Sequence, residues 1–283
     1  MVSILNRTLH HLELSLGISL QQVVTVKLLD KPYRLIKGTF RVQPDYDDAW
    51  LLALGCDARI VFDIGSNIGQ SALLLLHPGN VKKIVLVDPN HLALGQAAQN
   101  LILNGWSERS RFVCAFASNQ ADENVDFYTI GTGSAGSIYA SHAKTAATLK
   151  SKRSVPTTTV DNLVRTFDCL PDLVKIDVEG AESLVLEGAT ELAHGQVTHF
   201  FVEMHSNTEL PMSKNAQKIL DWCQQVNYQA WYLKDKIKLT TPKPIAHRGR
   251  CHLLLLPNNQ DLPQSLVELD QSALLEKVRI PSN

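Results

Sequence analysis

From Arg59 onward, short uninterrupted apolar runs alternate with segments whose apolar residues recur every three or four positions. The runs are Ile60-Val61-Phe62, then residues 83–87, 111–116, 173–176 and 199–202. Between them, residues 69–76, 181–189 and 213–226 carry helical spacing, the last with Ala216, Ile219, Leu220 and Cys223 on one face. A further helix places Leu94, Ala97, Ala98, Leu101 and Ile102 together and stops at Asn104-Gly105. Strands without polar alternation are buried on both faces, and helices between them supply the cover. The pattern predicts an α/β fold: a doubly wound, Rossmann-like, mostly parallel sheet of about seven strands. Residues 229–233 and 252–256 are expected to form an antiparallel edge.

The rhythm sets three regions. Residues 1–57 form an extension of short helices and a strand pair, 23–29 and 33–36 flanking the turn Asp30-Lys31-Pro32. Tyr46, Trp50, Ala53 and Leu54 fall at helical spacing and lead into the main domain, residues 58–257. Within it, residues 122–153 break the alternation. Short strands at 125–130 and 137–139 flank a Gly/Ser-rich turn, and a polar loop or short helix follows. This β-rich insertion is a candidate lid. Residues 258–283 form a polar tail with a weak helix at 266–278.

Composition narrows the function classes. Of 283 residues, 45% are hydrophobic and 19% charged, and the net charge is −1. That balance gives no electrostatic reason to expect a nucleic-acid partner. No stretch approaches the roughly 20 apolar residues that span a bilayer, and residues 1–20 lack a signal-type apolar run, so no membrane partner is expected. Cys56, Cys114, Cys169, Cys223 and Cys251 form no CxxC pair, which suits free thiols in a reducing compartment. The expected location is cytoplasmic. Nothing in the sequence bears on oligomeric state.

The first chemical signal is Asp63-Ile64-Gly65-Ser66-Asn67-Ile68-Gly69, at a strand-to-helix turn. Ligands of open parallel sheets bind at the carboxyl ends of strands. Gly65 permits a sharp turn and close approach to a ligand, and Gly69 lets the next helix start tight against the strand. A dinucleotide loop carries glycine where Asp63 stands. A carboxylate there repels a pyrophosphate and attracts the cationic end of S-adenosylmethionine, so that cofactor is favoured over NAD. Val87-Asp88-Pro89-Asn90 ends the next strand, with Asp88 about 20 residues past the turn, placed for ribose hydroxyls. The structural alternative is that Asp88 caps the helix that Pro89 begins. Ala117 and Ser118 could border the adenine through their backbone.

The second signal is Lys175-Ile176-Asp177-Val178-Glu179-Gly180-Ala181-Glu182, dense in charge at a strand end. Partly buried carboxylates cost desolvation energy, although Glu179 and Glu182 would also suit a helix N-terminus. Glu203-Met204-His205 ends the next strand on the same sheet edge. His205 is the first choice for a general base, because imidazole titrates near neutrality; a loop histidine of no chemical role is the alternative. Asp177 or Glu203 would orient it or bind the acceptor, Lys175 would pair with an acid, and Glu179 and Glu182 would contact substrate. The preferred scheme uses no metal. A second scheme has Asp177, Glu203 and His205 hold a divalent cation.

These segments resemble the FkbM-type methyltransferases. The matching elements are Asp63 to Gly69, Asp88-Pro89-Asn90, Gly133-Ser134-Ala135-Gly136-Ser137, Thr159-Val160-Asp161-Asn162-Leu163, Lys175 to Glu182, Gly188-Ala189 and Glu203-Met204-His205. The likeness runs from about Tyr46 to about Trp231, and the family often has Glu where Asp88 stands. It implies S-adenosylmethionine-dependent O-methylation of a hydroxyl on a sugar, glycan or secondary metabolite. Competing readings are a non-catalytic protein that binds the same cofactor, an NAD-dependent oxidoreductase and a nucleic-acid methyltransferase. The last is disfavoured by the charge balance and by the lack of an Asn/Asp-Pro-Pro-aromatic step.

Overall fold

In the computed structural model, residues 22–29, 31–41, 45–129, 136–139, 141 and 143–278 are described. The predicted sheet is present with eight strands. In chain order the elements that build it are β3 (Ile60–Ile64), β4 (Lys83–Val87), β5 (Ser110–Val113), β9 (Leu173–Ile176), β10 (His199–His205), β11 (Tyr228–Tyr232), β12 (Ile237–Leu239) and β13 (Arg250–Pro257). The spatial order is β12-β11-β13-β10-β9-β3-β4-β5. Strands β5, β4, β3, β9 and β10 run parallel, and β13 is antiparallel to both β10 and β11. The antiparallel part lies at one end of the sheet, as expected. Its outermost member is the unpredicted β12, and β13 sits inside, between β10 and β11.

Successive side chains of a strand point to opposite faces, and the core divides accordingly. Phe62, Val85, Val174, Leu253 and Leu255 join one cluster, with Leu163, Leu186, Ile219 and Trp222. Val61, Ile84, Leu86, Leu254 and Leu256 join the other, with Trp50, Leu51, Leu73 and Leu75. The helices that contribute to the two clusters are α1 (Tyr46–Asp57), α2 (Gln70–Leu76), α3 (His91–Leu103), α5 (Val160–Phe167), α6 (Glu182–Glu187), α7 (Thr190–His194) and α8 (Met212–Gln225). On α3 the buried face is Ala93, Leu94, Ala97, Asn100 and Leu101, whereas Ile102 is 57% exposed, contrary to the predicted face. Asn100 is buried because its Oδ1 accepts the Ile36 N–H and its Nδ2 donates to Thr39. That pins the antiparallel hairpin of β1 (Val23–Leu28) and β2 (Lys31–Ile36) to the domain.

The segment read as one strand over 111–116 divides: after β5 the chain moves to β6 (Phe116–Ala117) in a separate sheet. That sheet has the order β6-β8-β7, with β7 (Asn124–Tyr128) antiparallel to β8 (Lys152–Thr158). The insertion is thus β-rich as expected, with a short helix, α4 (Lys144–Thr148), but the strand expected at 137–139 is only a single bridge from Ser137 to Tyr128. Strand β8 is not among the predicted elements, because the polar run through Lys152 and Arg153 reads as loop. The turn at Gly131–Ala135 lies outside the described residues. The C-terminal helical segment divides into α9 (Gln264–Val267) and α10 (Gln271–Val278). All five cysteines are free thiols. Among the described residues no helix is long and apolar enough to cross a membrane.

Candidate active site

Strands β3, β4 and β9 end side by side, and what happens there follows from Gly65. Its φ is +74°, and a Cβ would lie 1.7 Å from the Asp177 carbonyl oxygen. Only glycine lets the two strand ends touch. Gly65 N–H donates to Val87 O at 2.8 Å, tying the turn to β4 as well. Gly69 (φ +85°) caps α2, and its close neighbour is Ala97 of α3 rather than a strand. Asn67 takes a left-handed φ of +46° and donates its N–H to Asp88 Oδ2 at 2.8 Å.

Asp88 is buried, and its Oδ1 accepts the Asn90 N–H at 2.8 Å. Burial pushes its carboxyl up to about 6, against the pull of the two amides. The helix cap is Asn90, whose Oδ1 accepts from Leu92 and Ala93, so Pro89 precedes the cap instead of opening the helix. Asp88 is thereby left to face a cavity walled by Gly65, Asn67, Pro89, Asn90, Phe116, Ala117 and Phe127. Ser118 lies off this wall: its N–H donates to Thr158 O and its hydroxyl to Asn119.

Asp63 is fully buried but reaches no cavity wall. It accepts from Ser71 Oγ at 2.7 Å and lies 3.3 Å from Lys175 Nζ. The expected contact with a cationic ligand is replaced by this internal ion pair. Lys175 also donates to Gly65 O at 3.0 Å and sits 3.4 Å from Asp177 Oδ2. Burial alone would lower the ammonium's pKa, but Asp63 and Asp177 hold it above the ordinary lysine range. Burial pushes Asp177 up to about 7, and Lys175 opposes the shift.

His205 is ringed by carboxylates. Nδ1 lies 2.9 Å from Glu182 Oε1, and Nε2 lies 3.5 Å from both Glu179 Oε2 and Glu203 Oε1 and 4.0 Å from Asp177 Oδ1. Burial disfavours the imidazolium, but the Glu182 and Glu203 bonds outweigh it and push the ring up to about 11. Both ring nitrogens thus face carboxylates, a setting that favours the imidazolium over the free base expected of His205. Glu182 also accepts the Gly180 N–H at 2.8 Å and Asn215 Nδ2 at 2.8 Å. It is wholly buried and lies off both cavities, so it orients His205 and cannot touch substrate. Glu179 does line both, held at φ +52°, a costly conformation outside glycine and asparagine.

The antiparallel register of β10 and β13 adds residues that the motifs did not reveal. Glu203 pairs with His252, and His205 with Arg250. Arg250 Nη1 lies 3.0 Å from Glu203 Oε1 and His252 Nε2 3.3 Å from Oε2. Burial would raise the Glu203 carboxyl, but His205 and then His252 outweigh it and hold the group far below the ordinary carboxylate range. The first turn of α1 contributes Asp47 and Asp48. The available signal was Arg250-Cys251-His252 itself: two basic residues two apart, hence on one face of an otherwise apolar strand. A cavity of about 400 Å³ opens here, lined by Asp47, Asp48, Ser66, Lys175, Glu203, His205 and Arg250. It shares Gly65, Asn67, Asp177 and Glu179 with the cavity at Asp88.

A solved structure of the FkbM methyltransferase from Methylobacillus flagellatus KT is similar at TM-score 0.45 and 14% identity, over 70% of this chain and 43% of that one. The chain therefore spans less than half the length of that protein. The M. jannaschii TYW2 structure in complex with AdoMet is similar at TM-score 0.45 and 11% identity, covering 84% and 86% of the two chains. The O-methyltransferase from Bacillus cereus in complex with SAH gives 0.42 and 11%, covering 75% and 80%. No curated protein matches the chain by sequence. The methyltransferase FkbM domain pattern matches residues 63–230, more than half of the sequence, and the chain belongs to the FkbM methyltransferase family.

Proposed function

We propose that this chain transfers the methyl group of S-adenosylmethionine to a hydroxyl of a sugar, glycan or secondary metabolite. The observation that carries this reading is the pair of cavities meeting at Gly65, Asn67, Asp177 and Glu179. One is a narrow cleft with aromatic and aliphatic walls, in which Asp88 is the carboxylate away from the shared wall. That chemistry suits a nucleoside: apolar walls for a base, and lone pairs for ribose hydroxyls. The other is larger and acidic. Ser66 Oγ and Asn67 Oδ1 are buried without a hydrogen-bond partner, so a polar ligand fits. Gly65, Asn67, Asp88, Asn90 and Ala117 would hold the cofactor, with Asp177 and Glu179 toward its positive end.

Bound S-adenosylmethionine supplies an electrophilic methyl on a good leaving group. The protein has to place a hydroxyl in line with it and take away the proton as the bond forms. Asp177 lies on the wall common to both cavities, and its elevated pKa makes it the proton acceptor. Lys175 moderates that carboxyl, while Glu203, Arg250 and the His205 imidazolium form a fixed polar wall. Five carboxylates (Asp47, Asp48, Asp177, Glu179 and Glu203) and four basic groups (Arg41, Lys175, His205 and Arg250) line the acceptor cavity, a mixed polar surface that suits a neutral polyhydroxyl compound.

The test is to incubate the protein with methyl-labelled cofactor and a panel of sugars, glycans and small hydroxylated compounds. Acceptor-dependent S-adenosylhomocysteine and an O-methylated product by mass spectrometry are expected. Turnover with amine or thiol acceptors alone would overturn the hydroxyl assignment.

A further inference from the structure

Behind the acidic cavity, three buried side chains from three elements converge. Asp47 comes from the first turn of α1, Glu203 from β10, and His252 from β13 in register with Glu203. One donor atom from each lies within 4.8 Å of the others. His252 Nε2 is 3.3 Å from Glu203 Oε2 and 3.8 Å from Asp47 Oδ2.

Two of the buried donor residues are poorly satisfied. His252 is 7% exposed and Asp47 8%, yet His252 Nε2 and Asp47 Oδ1 have no hydrogen-bond partner. Arg41 lies 3.9 Å from Asp47 Oδ1, beyond hydrogen-bond reach. Buried polar atoms in this state call for a ligand or an ion. Glu203 divides its oxygens: Oε1 is taken by Arg250, and Oε2 is turned to His252. The neighbouring set, Asp177, Glu203 and His205, differs. There Lys175 stands 3.4 Å from Asp177, Arg250 holds Glu203 Oε1, and Glu182 engages the His205 ring, so resident cations already serve its acids.

We infer that Asp47, Glu203 and His252 form a binding site for a divalent cation that accepts mixed carboxylate and imidazole ligands, such as manganese or zinc. Two carboxylates and one imidazole are a donor set for such ions. Asp47 and Glu203 also line the 400 Å³ cavity, which leaves the ion's remaining coordination positions facing it. An acceptor's oxygen could occupy one of them; that role rests on the methyl-transfer reading, and the site itself does not.

The test uses the full chain and the metal alone. Mn²⁺ is titrated into metal-stripped protein, followed by calorimetry and by loss of the free-ion paramagnetic signal, with Zn²⁺ in parallel. One bound ion per chain is expected. Asp47→Asn and His252→Gln should each weaken binding at least about tenfold, with circular dichroism unchanged, and Asp177→Asn should bind like wild type. Failure of the wild type to bind either ion at millimolar concentration would overturn the site. So would retention of binding in both variants, or its loss in Asp177→Asn alone. S-adenosylmethionine affinity is measured on the same samples: cofactor binding without metal binding sinks the metal site and leaves the methyl-transfer reading standing.

Discussion

Asp177 and His205 show how neighbours, more than residue type, decide which group can move a proton. An isolated imidazole titrates near neutrality and an isolated carboxyl near pH 4. Here Glu182 and Glu203 lift His205 to about 11, and burial lifts Asp177 to about 7. A base works only when deprotonated, so turnover should rise as pH increases through about 7 and should show no limb from a histidine of ordinary pKa. Asp177→Asn should cost about 10²- to 10⁴-fold in kcat and remove that limb. A limb that survives in the variant would move the base elsewhere. Lys175 is a stability matter. It neutralises the fully buried Asp63 at 3.3 Å, and stranding a buried charge costs about 3–5 kcal/mol. Lys175→Met should lower the denaturation midpoint accordingly, and an unchanged midpoint would show Asp63 to be compensated otherwise.

Elements decide which of these residues meet. The strands β3, β4, β9 and β10 are legible because their apolar runs have no other explanation than burial on both faces, and the motifs at their ends could be placed on one sheet edge. The partners from β13 and α1 were not legible, because register across an antiparallel pair depends on long-range packing. His252 and Asp47 also sit in segments whose apolar pattern dominates. Strand β8 escaped for the opposite reason: the polar run through Lys152 and Arg153 looks like loop, but pairing with β6 and β7 overrides that local preference. The contact between β3 and β9 is the tightest demand on the site. Gly65→Ala adds a methyl 1.7 Å from the Asp177 carbonyl oxygen at a φ of +74°. The strained backbone alone costs about 1–3 kcal/mol, and the clash adds to it. A variant with wild-type stability would mean that the strand ends separate easily.

At the scale of the whole molecule, the insertion of β13 between β10 and β11 makes the C-terminal part indispensable. The strand contributes Leu253 and Leu255 to one core and Leu254 and Leu256 to the other. It also carries Arg250 and His252 to the site. Deleting residues from 250 onward should therefore abolish cooperative unfolding; a truncated chain that still melts cooperatively would show the sheet to be complete without β13. The same architecture explains how two cavities come to share a wall, since both open where parallel strands end. The most direct test of that arrangement is calorimetric binding of S-adenosylmethionine to wild type and Asp88→Ala, each checked for folding by circular dichroism. The account predicts saturable binding by the wild type, weakened at least about tenfold in the variant, as expected for hydrogen bonds to a charged group. Equal affinity in the two proteins would contradict the placement of the ribose at Asp88, and with it the division of the site into cofactor and acceptor cavities.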